Sequence, residues 1–186
     1  KSMISIIYAG NQSGTCYGIF KLLTQKLENK EKYIFNLQLI KEDILILEKG
    51  YKHELTDKQN KFINIINQSD TLIFIYPLYW LNMPMLLKGF IDMTFWPNEA
   101  FSFKNKQYYK NGLWKDKKAI VIYTIGGSEW FNLLNLNLGY RVLKYPLNLV
   151  GISNIKKFYI DQLNRSNKQS VNKKVNSLVE KVMKSI

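Results

Sequence analysis

Apolar and polar residues follow two distinct patterns along this chain. Five short segments are rich in apolar, β-branched or aromatic residues and predict strands, and we expect the runs that are apolar throughout to be buried on both faces of a sheet. Between them, apolar residues recur every three or four positions, which predicts helices with one buried face. The predicted strands are residues 3–9, 33–39, 71–76, 118–125 and 155–160.

Two of the predicted helices carry further signals. Thr56 and Gln59 have the spacing of a capping box, which marks the start of the helix before the third strand. The helix that closes the chain is amphipathic, and we expect it to pack on the sheet rather than to lie on a membrane surface. The apolar faces comprise Ile19, Phe20, Leu23 and Leu27 after the first strand, Phe62, Ile63 and Ile66 before the third, and Val171, Val175, Leu178, Val182 and Met183 in the closing helix.

Strands separated by helices predict an α/β fold with a doubly wound parallel sheet, because parallel neighbours need crossover connections. The flavodoxin-like strand order 2-1-3-4-5, with helices on both faces, suits five strands best. Neither an internal repeat nor an interdomain linker interrupts residues 1–186, so we expect a single domain. Residues 41–54 and 98–114 are the predicted long loops, and long loops in compact domains often carry function.

Composition excludes several classes of protein. The chain has 186 residues, of which 46% are hydrophobic and 22% charged, which is typical of a globular domain. Cys16 is the single cysteine, so we expect neither an intramolecular disulfide nor a metal site. The apolar runs are too short to span a bilayer and the N-terminus does not read as a signal peptide, so we expect a cytoplasmic protein.

The formal net charge of +13 is concentrated in two segments. Residues 104–118 hold six lysines and one acidic residue, and residues 156–186 hold eight basic and two acidic residues, which gives +5 and +6. Such clusters could attract nucleic acid, anionic lipid or a phosphate-bearing cofactor. A solvated lysine-rich surface is the simpler interpretation.

Ligands of a doubly wound sheet bind outside the carboxyl ends of its strands, where the strand order reverses. The first strand is followed by residues 10–17, a small polar turn that enters a helix and could hold a phosphate at the helix N-terminus. This turn lacks the lysine of a Walker A loop. An ordinary strand-to-helix turn with a capping hydroxyl would look the same.

Two further loops offer surfaces for a flat ligand. After the third strand, Pro77 and Pro84 restrict the backbone, and Tyr79 and Trp80 supply planar apolar faces. After the fourth strand, the turn at Gly126 allows a close approach to the backbone. A core aromatic cluster and a tight turn would explain each loop singly, but not their coincidence at three strand ends.

The segment after the third strand resembles the central motif of the NAD(P)H:quinone oxidoreductase family. The resemblance is carried by Tyr76-Pro77-Leu78-Tyr79-Trp80 through Met83-Pro84, followed by Leu87-Lys88-Gly89 and Asp92. Glu99-Ala100-Phe101, Gly112-Leu113, Lys117-Lys118-Ala119 and the turn from Thr124 to Gly127 are similar to later segments of the family, in the same order.

This resemblance implies a flavin, FMN or FAD, bound at the interface of a homodimer. It further implies that NAD(P)H reduces the flavin and leaves, and that a quinone or similar aromatic acceptor then takes the hydride in a ping-pong reaction. The implied contacts are Ser13, Thr15, Cys16 and Tyr17 with the flavin phosphate, Pro77, Leu78, Tyr79 and Trp80 with the ring, and Thr124, Gly126 and Gly127 with its polar edge.

The sequence departs from the family where several relatives have a tyrosine and a histidine that balance charge on the reduced flavin. Asn132 and Leu138 occupy these positions here. The resemblance implies that the flavin carries the chemistry, so no catalytic residue is assigned; Trp130, Asn132 and Tyr140 are the candidates near these positions. We expect His53, the only histidine, to be a surface residue without a role in turnover.

Two other functions fit parts of the pattern. One is a flavodoxin-like electron carrier, although such carriers are typically acidic. The other is a regulatory subunit that docks on a membrane transporter or nucleic acid through its lysines; of these two partners, we expect no nucleic acid. We expect a homodimer, because Phe90, Phe95 and Trp96 in and after the predicted helix at residues 85–95 add more aromatic surface than one sheet face readily hides.

Overall fold

The computed structural model describes residues 2–104 and 112–186. The middle of the predicted loop at residues 98–114, together with Lys106 and Lys110 of the first basic segment, lies outside the described residues. The strands are β1 (Ile4–Tyr8), β2 (Lys32–Asn36), β3 (Thr71–Pro77), β4 (Lys118–Thr124) and β5 (Asn154–Ile160), and the helices are α1 (Gly14–Lys26), α2 (Asp57–Gln68), α3 (Met85–Thr94), α4 (Glu129–Leu134), α5 (Leu138–Leu149) and α6 (Lys168–Met183).

The five strands form one parallel sheet in the order β2-β1-β3-β4-β5, which confirms the predicted topology. The strand positions also agree with the prediction, and the largest difference is at β2. This strand ends at Asn36 rather than at Leu39, because the chain turns there and the amide of Leu39 donates to the carbonyl of Asn36 at 3.0 Å.

Two apolar layers cover the sheet, one on each face. Alternate residues of β1 point in opposite directions, so Ile6 packs in one layer and Ile7 in the other. The first layer contains α1 and α6, which confirms that the closing helix covers the sheet, and the second contains α2, α3 and α5. Because helices cover both faces, a ligand can reach the central strands of the sheet only at the strand ends.

The start of α2 is the predicted capping box. The Thr56 hydroxyl accepts from the amide of Gln59 at 3.2 Å, and the Gln59 side chain accepts from the amide of Thr56 at 3.2 Å. His53 is half-buried, so part of its side chain is at the surface as expected, while the rest contacts neighbouring residues. Its Nε2 lies 3.2 Å from Oε1 of the Gln59 side chain, and its ring centre lies 4.9 Å from that of Trp96.

The aromatic residues expected to form excess surface are instead buried within one chain. Phe90, Phe95 and Trp96 are 1%, 6% and 6% exposed, so this argument for a homodimer was wrong. The long loops supply the cover that the sheet cannot. The ring of Trp114 lies 5.0 Å from that of Phe95, and the ring of Tyr51 lies 5.0 Å from that of Trp96.

Candidate functional site

Three loops meet at the carboxyl edge of the sheet, because β1, β3 and β4 are neighbours there. The amide of Leu78 donates to the carbonyl of Thr124 at 2.8 Å and joins the loops after β3 and β4. The buried Thr124 side chain lies beside the Cys16 thiol and so joins these loops to α1. An open cleft of about 690 Å³ results, lined by Leu78, Trp80, Leu81, Ile125, Gly126, Gly127, Ser128, Phe131 and Asn164.

The loop after β3 forms a tight two-residue turn at the rim of this cleft. Tyr79 and Asn82 exchange two backbone hydrogen bonds of 3.0 Å each, and the residues between them, Trp80 and Leu81, both have φ 55°. This left-handed backbone normally selects Gly, Asn or Asp. The turn holds the Trp80 side chain fully exposed, while Leu81 packs against the core. The chain therefore carries backbone strain that presents an aromatic face beside the cleft.

The loop after β4 gives the cleft a side-chain-free edge. The carbonyls of Gly126 and Gly127 accept from the amides of Asn164 and Gln162, at 3.0 and 2.7 Å. Across residues 2–104 and 112–186, the amides of these two glycines have no hydrogen-bond acceptor. A methyl group at Gly127 would meet nothing within 4 Å, whereas one at Gly126 would lie 2.8 Å from the Asn164 side chain. Gly127 therefore faces open space that a flat ligand can occupy.

The loop after β1 leads into α1 without a side-chain cap. Ser13 is the N-cap residue, but its hydroxyl accepts no hydrogen bond from the first turn of the helix. In α-helices the first amides lack partners within the helix, and the helix dipole favours an anion there. The Ser13 hydroxyl and the amides of Gly14 and Thr15 can therefore bind a phosphate at the same edge of the sheet as the cleft.

The predicted contact residues separate into three groups. Leu78, Trp80, Gly126 and Gly127 line the cleft, and Tyr79 is half-exposed on its rim. Ser13, Thr15 and Tyr17 lie at the start of α1, and Pro77 ends β3. Cys16 and Thr124 are buried, and their side chains contact each other. Burial raises the pKa of the Cys16 thiol to about 12, so this residue can offer a ligand its backbone amide but not a thiolate.

Sequence reasoning missed one helix and one loop that contribute to the cleft. Phe131 comes from α4, and Asn164 comes from the loop after β5. A usable signal was the polar segment that begins at Asp161, because it follows the carboxyl end of a parallel strand in the same way as the loops that were considered.

A network of buried polar side chains lies next to the turn at Gly126 and Gly127, which we call the glycine turn. The Glu129 carboxylate accepts hydrogen bonds from the Tyr123 hydroxyl at 2.6 Å, from Lys157 Nζ at 3.0 Å and from Asn132 Nδ2 at 3.2 Å. Asn132 is fully buried and its Oδ1 accepts from the amide of Gly139 at 2.9 Å. Burial and the Glu129 carboxylate both raise the pKa of Tyr123, so its hydroxyl remains a proton donor to Glu129.

The candidate catalytic residues do not line the cleft. Asn132 belongs to this network, and Tyr140 is 9% exposed, with a pKa raised by burial. Trp130 is 66% exposed, and so points away from the network, and Leu138 is half-exposed. Asn132 is therefore placed to act through the backbone that it holds, whereas the Trp130 side chain is exposed next to the cleft-lining Phe131.

Helix α4 has its polar residues inside and its apolar residues outside. Glu129 and Asn132 are its buried residues, whereas four large apolar side chains are between 45% and 66% exposed. A helix of a globular protein normally shows the opposite arrangement. We call this exposed set the α4 surface; it comprises Trp130, Phe131, Leu133 and Leu134.

The described part of the chain offers neither a cluster of metal ligands nor a helix that could span a membrane. Residues 2–104 and 112–186 contain no group of three or more His, Cys, Asp or Glu side chains that could hold a metal ion. In the same part of the chain, every helix is too short or too polar to cross a membrane.

A parallel sheet of this order, with a cleft at the ends of β1, β3 and β4, defines a flavodoxin-like protein. The Flavodoxin_2 family model, described as a flavodoxin-like fold, matches residues 3–184, and the chain therefore belongs to this family.

Named relatives confirm the resemblance to the NAD(P)H:quinone oxidoreductase family. The ribosyldihydronicotinamide dehydrogenase (quinone) of Rattus norvegicus is 28% identical over 126 residues, which cover 67% of this chain and 51% of the rat protein. An FMN-dependent NADH:quinone oxidoreductase of Haemophilus influenzae (strain PittEE) is 30% identical over 135 residues, covering 67% of this chain and 66% of that protein. The chain spans about half the length of the curated mammalian dehydrogenases.

Among solved structures, Smu.1420 from Streptococcus mutans UA159 superimposes with a TM-score of 0.85 at 24% identity. The superposition covers 99% of this chain and 100% of that one, which supports the fold over its full length.

Proposed function

We propose that this chain is an FMN-dependent NAD(P)H oxidoreductase that reduces quinones or similar aromatic acceptors. The observation that carries this proposal is the cleft, because it combines an exposed aromatic face at Trp80 with open space at Gly127. Its volume of about 690 Å³ lies within the range of small-molecule and cofactor sites. The FMN-dependent relative from Haemophilus influenzae supports FMN as the flavin.

The residues present fit a flavin mononucleotide. The Ser13 hydroxyl and the first amides of α1 would hold its phosphate, and Leu78 and Trp80 would contact the ring. The amides of Gly126 and Gly127 would donate to the polar edge of the ring, where they stabilise negative charge. When bound, FMN would supply hydride transfer, with NAD(P)H and the acceptor using the cleft in turn.

Three measurements on the purified protein test this function. We expect a flavin absorbance spectrum, FMN as the mass of the released cofactor, and steady NAD(P)H oxidation with a quinone, giving parallel double-reciprocal plots. Protein that neither carries nor binds FMN would refute the proposal. Protein that binds FMN but oxidises NAD(P)H no faster with a quinone than without it would instead indicate an electron carrier.

We further propose that the protein is a homodimer and that a second copy covers the α4 surface. Four large apolar side chains point outward from one short helix, and exposed apolar patches mark interaction sites. This surface is continuous with the cleft, because Phe131 belongs to both. A second copy placed here would therefore also shield the cleft from water.

Sedimentation of matched variants tests the dimer. Leu134 is 65% exposed in the α4 surface, and Leu39, in the turn after β2, is 73% exposed. We expect Leu134→Lys to sediment as a monomer at micromolar concentration, while the parent and Leu39→Lys remain dimers. A monomeric parent with full activity would contradict the proposal.

The single thiol of Cys16 is compatible with a reducing compartment, so we also propose that the protein acts in the cytoplasm, where NAD(P)H is available.

A further inference from the structure

The glycine turn at the cleft is held by different groups on its two sides. On one side, backbone amides of the loop after β5 donate to the carbonyls of Gly126 and Gly127. On the other side, the chain continues through Ser128 into Glu129, whose amide donates to the Asp161 carboxylate at 3.0 Å. Glu129 is thus the first side chain after the turn that is anchored in the interior.

The Glu129 side chain is held by an ion pair that is mostly out of water. Its side chain is 4% exposed and that of its partner Lys157 is 23% exposed, with 3.0 Å between Nζ and Oε1. The Lys157 ammonium also lies 5.2 to 5.9 Å from the ring centres of Tyr123, Tyr140 and Tyr159. Removing one charge of such a pair leaves the other uncompensated, which costs far more than losing a surface pair.

The same carboxylate is connected to the segment between α4 and α5. Asn132 donates to Glu129 and to Asn137 Oδ1, and accepts from the amide of Gly139. Leu136 and Asn137 have φ values of 58° and 55°, a left-handed backbone that needs such support. Glu129 therefore links the glycine turn, α4 and the α4–α5 connection to β5.

We propose that Glu129 is a positioning residue that, paired with Lys157, fixes the glycine turn in the geometry the flavin requires. The carboxylate does not line the cleft and so acts through the backbone of Gly126 to Ser128. This inference rests on the proposed flavin site for its effect on binding, but its effect on the backbone does not depend on the flavin.

A double-mutant cycle with a matched control tests the proposal. Glu129→Gln and Lys157→Gln each leave one uncompensated charge, whereas the double variant has none. The control is Glu180→Gln, which breaks the ion pair between Lys26 and Glu180, 2.7 Å long and on the surface. Two readouts are measured: the FMN dissociation constant by fluorescence, and amide hydrogen exchange over residues 126–139 in FMN-free protein.

We expect each single variant to raise the FMN dissociation constant about tenfold and to accelerate exchange over residues 126–139. The double variant should return to within about threefold of the parent, and Glu180→Gln should change neither readout. Single variants that match the parent, or a double variant no better than the weaker single, would overturn the proposal.

Tyr123→Phe covers the case in which the single-charge variants do not fold. It keeps the buried ring and removes only the hydroxyl that donates to Glu129. We expect faster exchange at the Gly139 amide and weaker FMN binding, and parent values for both would overturn the proposal. A parent that binds no FMN would refute the proposed function, while the exchange comparison would still decide the positioning role.

Discussion

Replacing Trp80 by Asn should raise stability and weaken ligand binding at the same time. Trp80 has φ 55° in a two-residue turn, and its side chain is fully exposed, so the folded chain gains no packing from it. A left-handed backbone costs an ordinary L-residue about 1–2 kcal/mol, and Asn tolerates it better because of its short polar side chain. We therefore expect Trp80→Asn to stabilise the protein by about 1 kcal/mol, or roughly 2–4 °C in Tm.

The binding effect has the opposite sign. Loss of one large aromatic face at the cleft should weaken FMN or acceptor binding by about 1–3 kcal/mol, which is about 5- to 150-fold in the dissociation constant. Trp80→Ala is the matched control, since it removes the same face but leaves an ordinary L-residue in the turn. It should weaken binding equally with little change in Tm.

Thermal melts of the FMN-free protein and fluorescence titration of FMN, followed by the KM for a quinone, measure both effects. A lower Tm for Trp80→Asn than for Trp80→Ala would refute the strain argument. Unchanged FMN affinity together with unchanged KM would show that the exposed ring does not serve the cleft.

Two further variants and one labelling reagent test the roles assigned to Gly127, His53 and Cys16. Gly127→Val should fold with a Tm near that of the parent, since its first side-chain atom meets nothing within 4 Å, yet it should lose most FMN affinity in a titration; parent-like binding would place the flavin elsewhere. His53→Ala should lower Tm through lost contacts with Gln59 and Trp96 but leave kcat unchanged in the quinone assay, and an inactive, folded variant would contradict this. Cys16, with a pKa raised to about 12 by burial, should resist iodoacetamide at pH 8 until the protein is unfolded in urea, and fast labelling of the native protein would show that the thiol is accessible.

The fold could be predicted because its signals are local. Each strand is a short segment rich in apolar, β-branched or aromatic residues, and the Thr56–Gln59 capping box uses residues three positions apart. The need for crossover connections then predicts parallel strands, and the flavodoxin-like order 2-1-3-4-5 suits five of them best. The cleft could be located for the same reason, since Leu78, Trp80 and the glycine pair directly follow predicted strands.

The burial of the aromatic residues near α3 could not be predicted from the same pattern. The sequence places the apolar residues Phe95 and Trp96 at the end of a predicted helix, but it does not show which part of the chain covers them. Trp114 and Tyr51, distant in sequence and in irregular loops, provide this cover. Loop packing has no periodicity, so the sequence could not distinguish a buried cluster from a dimer surface.

The segment after the glycine turn reverses the usual rule that apolar residues are buried. Its apolar side chains at 130, 131, 133 and 134 point outward because Glu129 and Asn132 have buried partners that water cannot replace without loss. Those partners, Tyr123 and Lys157, come from two different strands, so the sequence alone could not assign them.

Several lysines of the two basic segments make structural contacts within the protein. Lys117 Nζ donates to the carbonyls of Asn67 and Ser69 at 2.7 Å each, at the C-terminal end of α2, where a cation is favoured by the helix dipole. Lys157 is paired with Glu129, and Lys174 donates to the carbonyl of Asp161 at 3.2 Å. Part of the positive charge is therefore structural, and the cleft-lining residues of the described chain include neither lysine nor arginine. In the proposed flavin site the attraction for a phosphate would come from the amides at the start of α1, because a helix end can supply the positive potential that a charged side chain would otherwise provide.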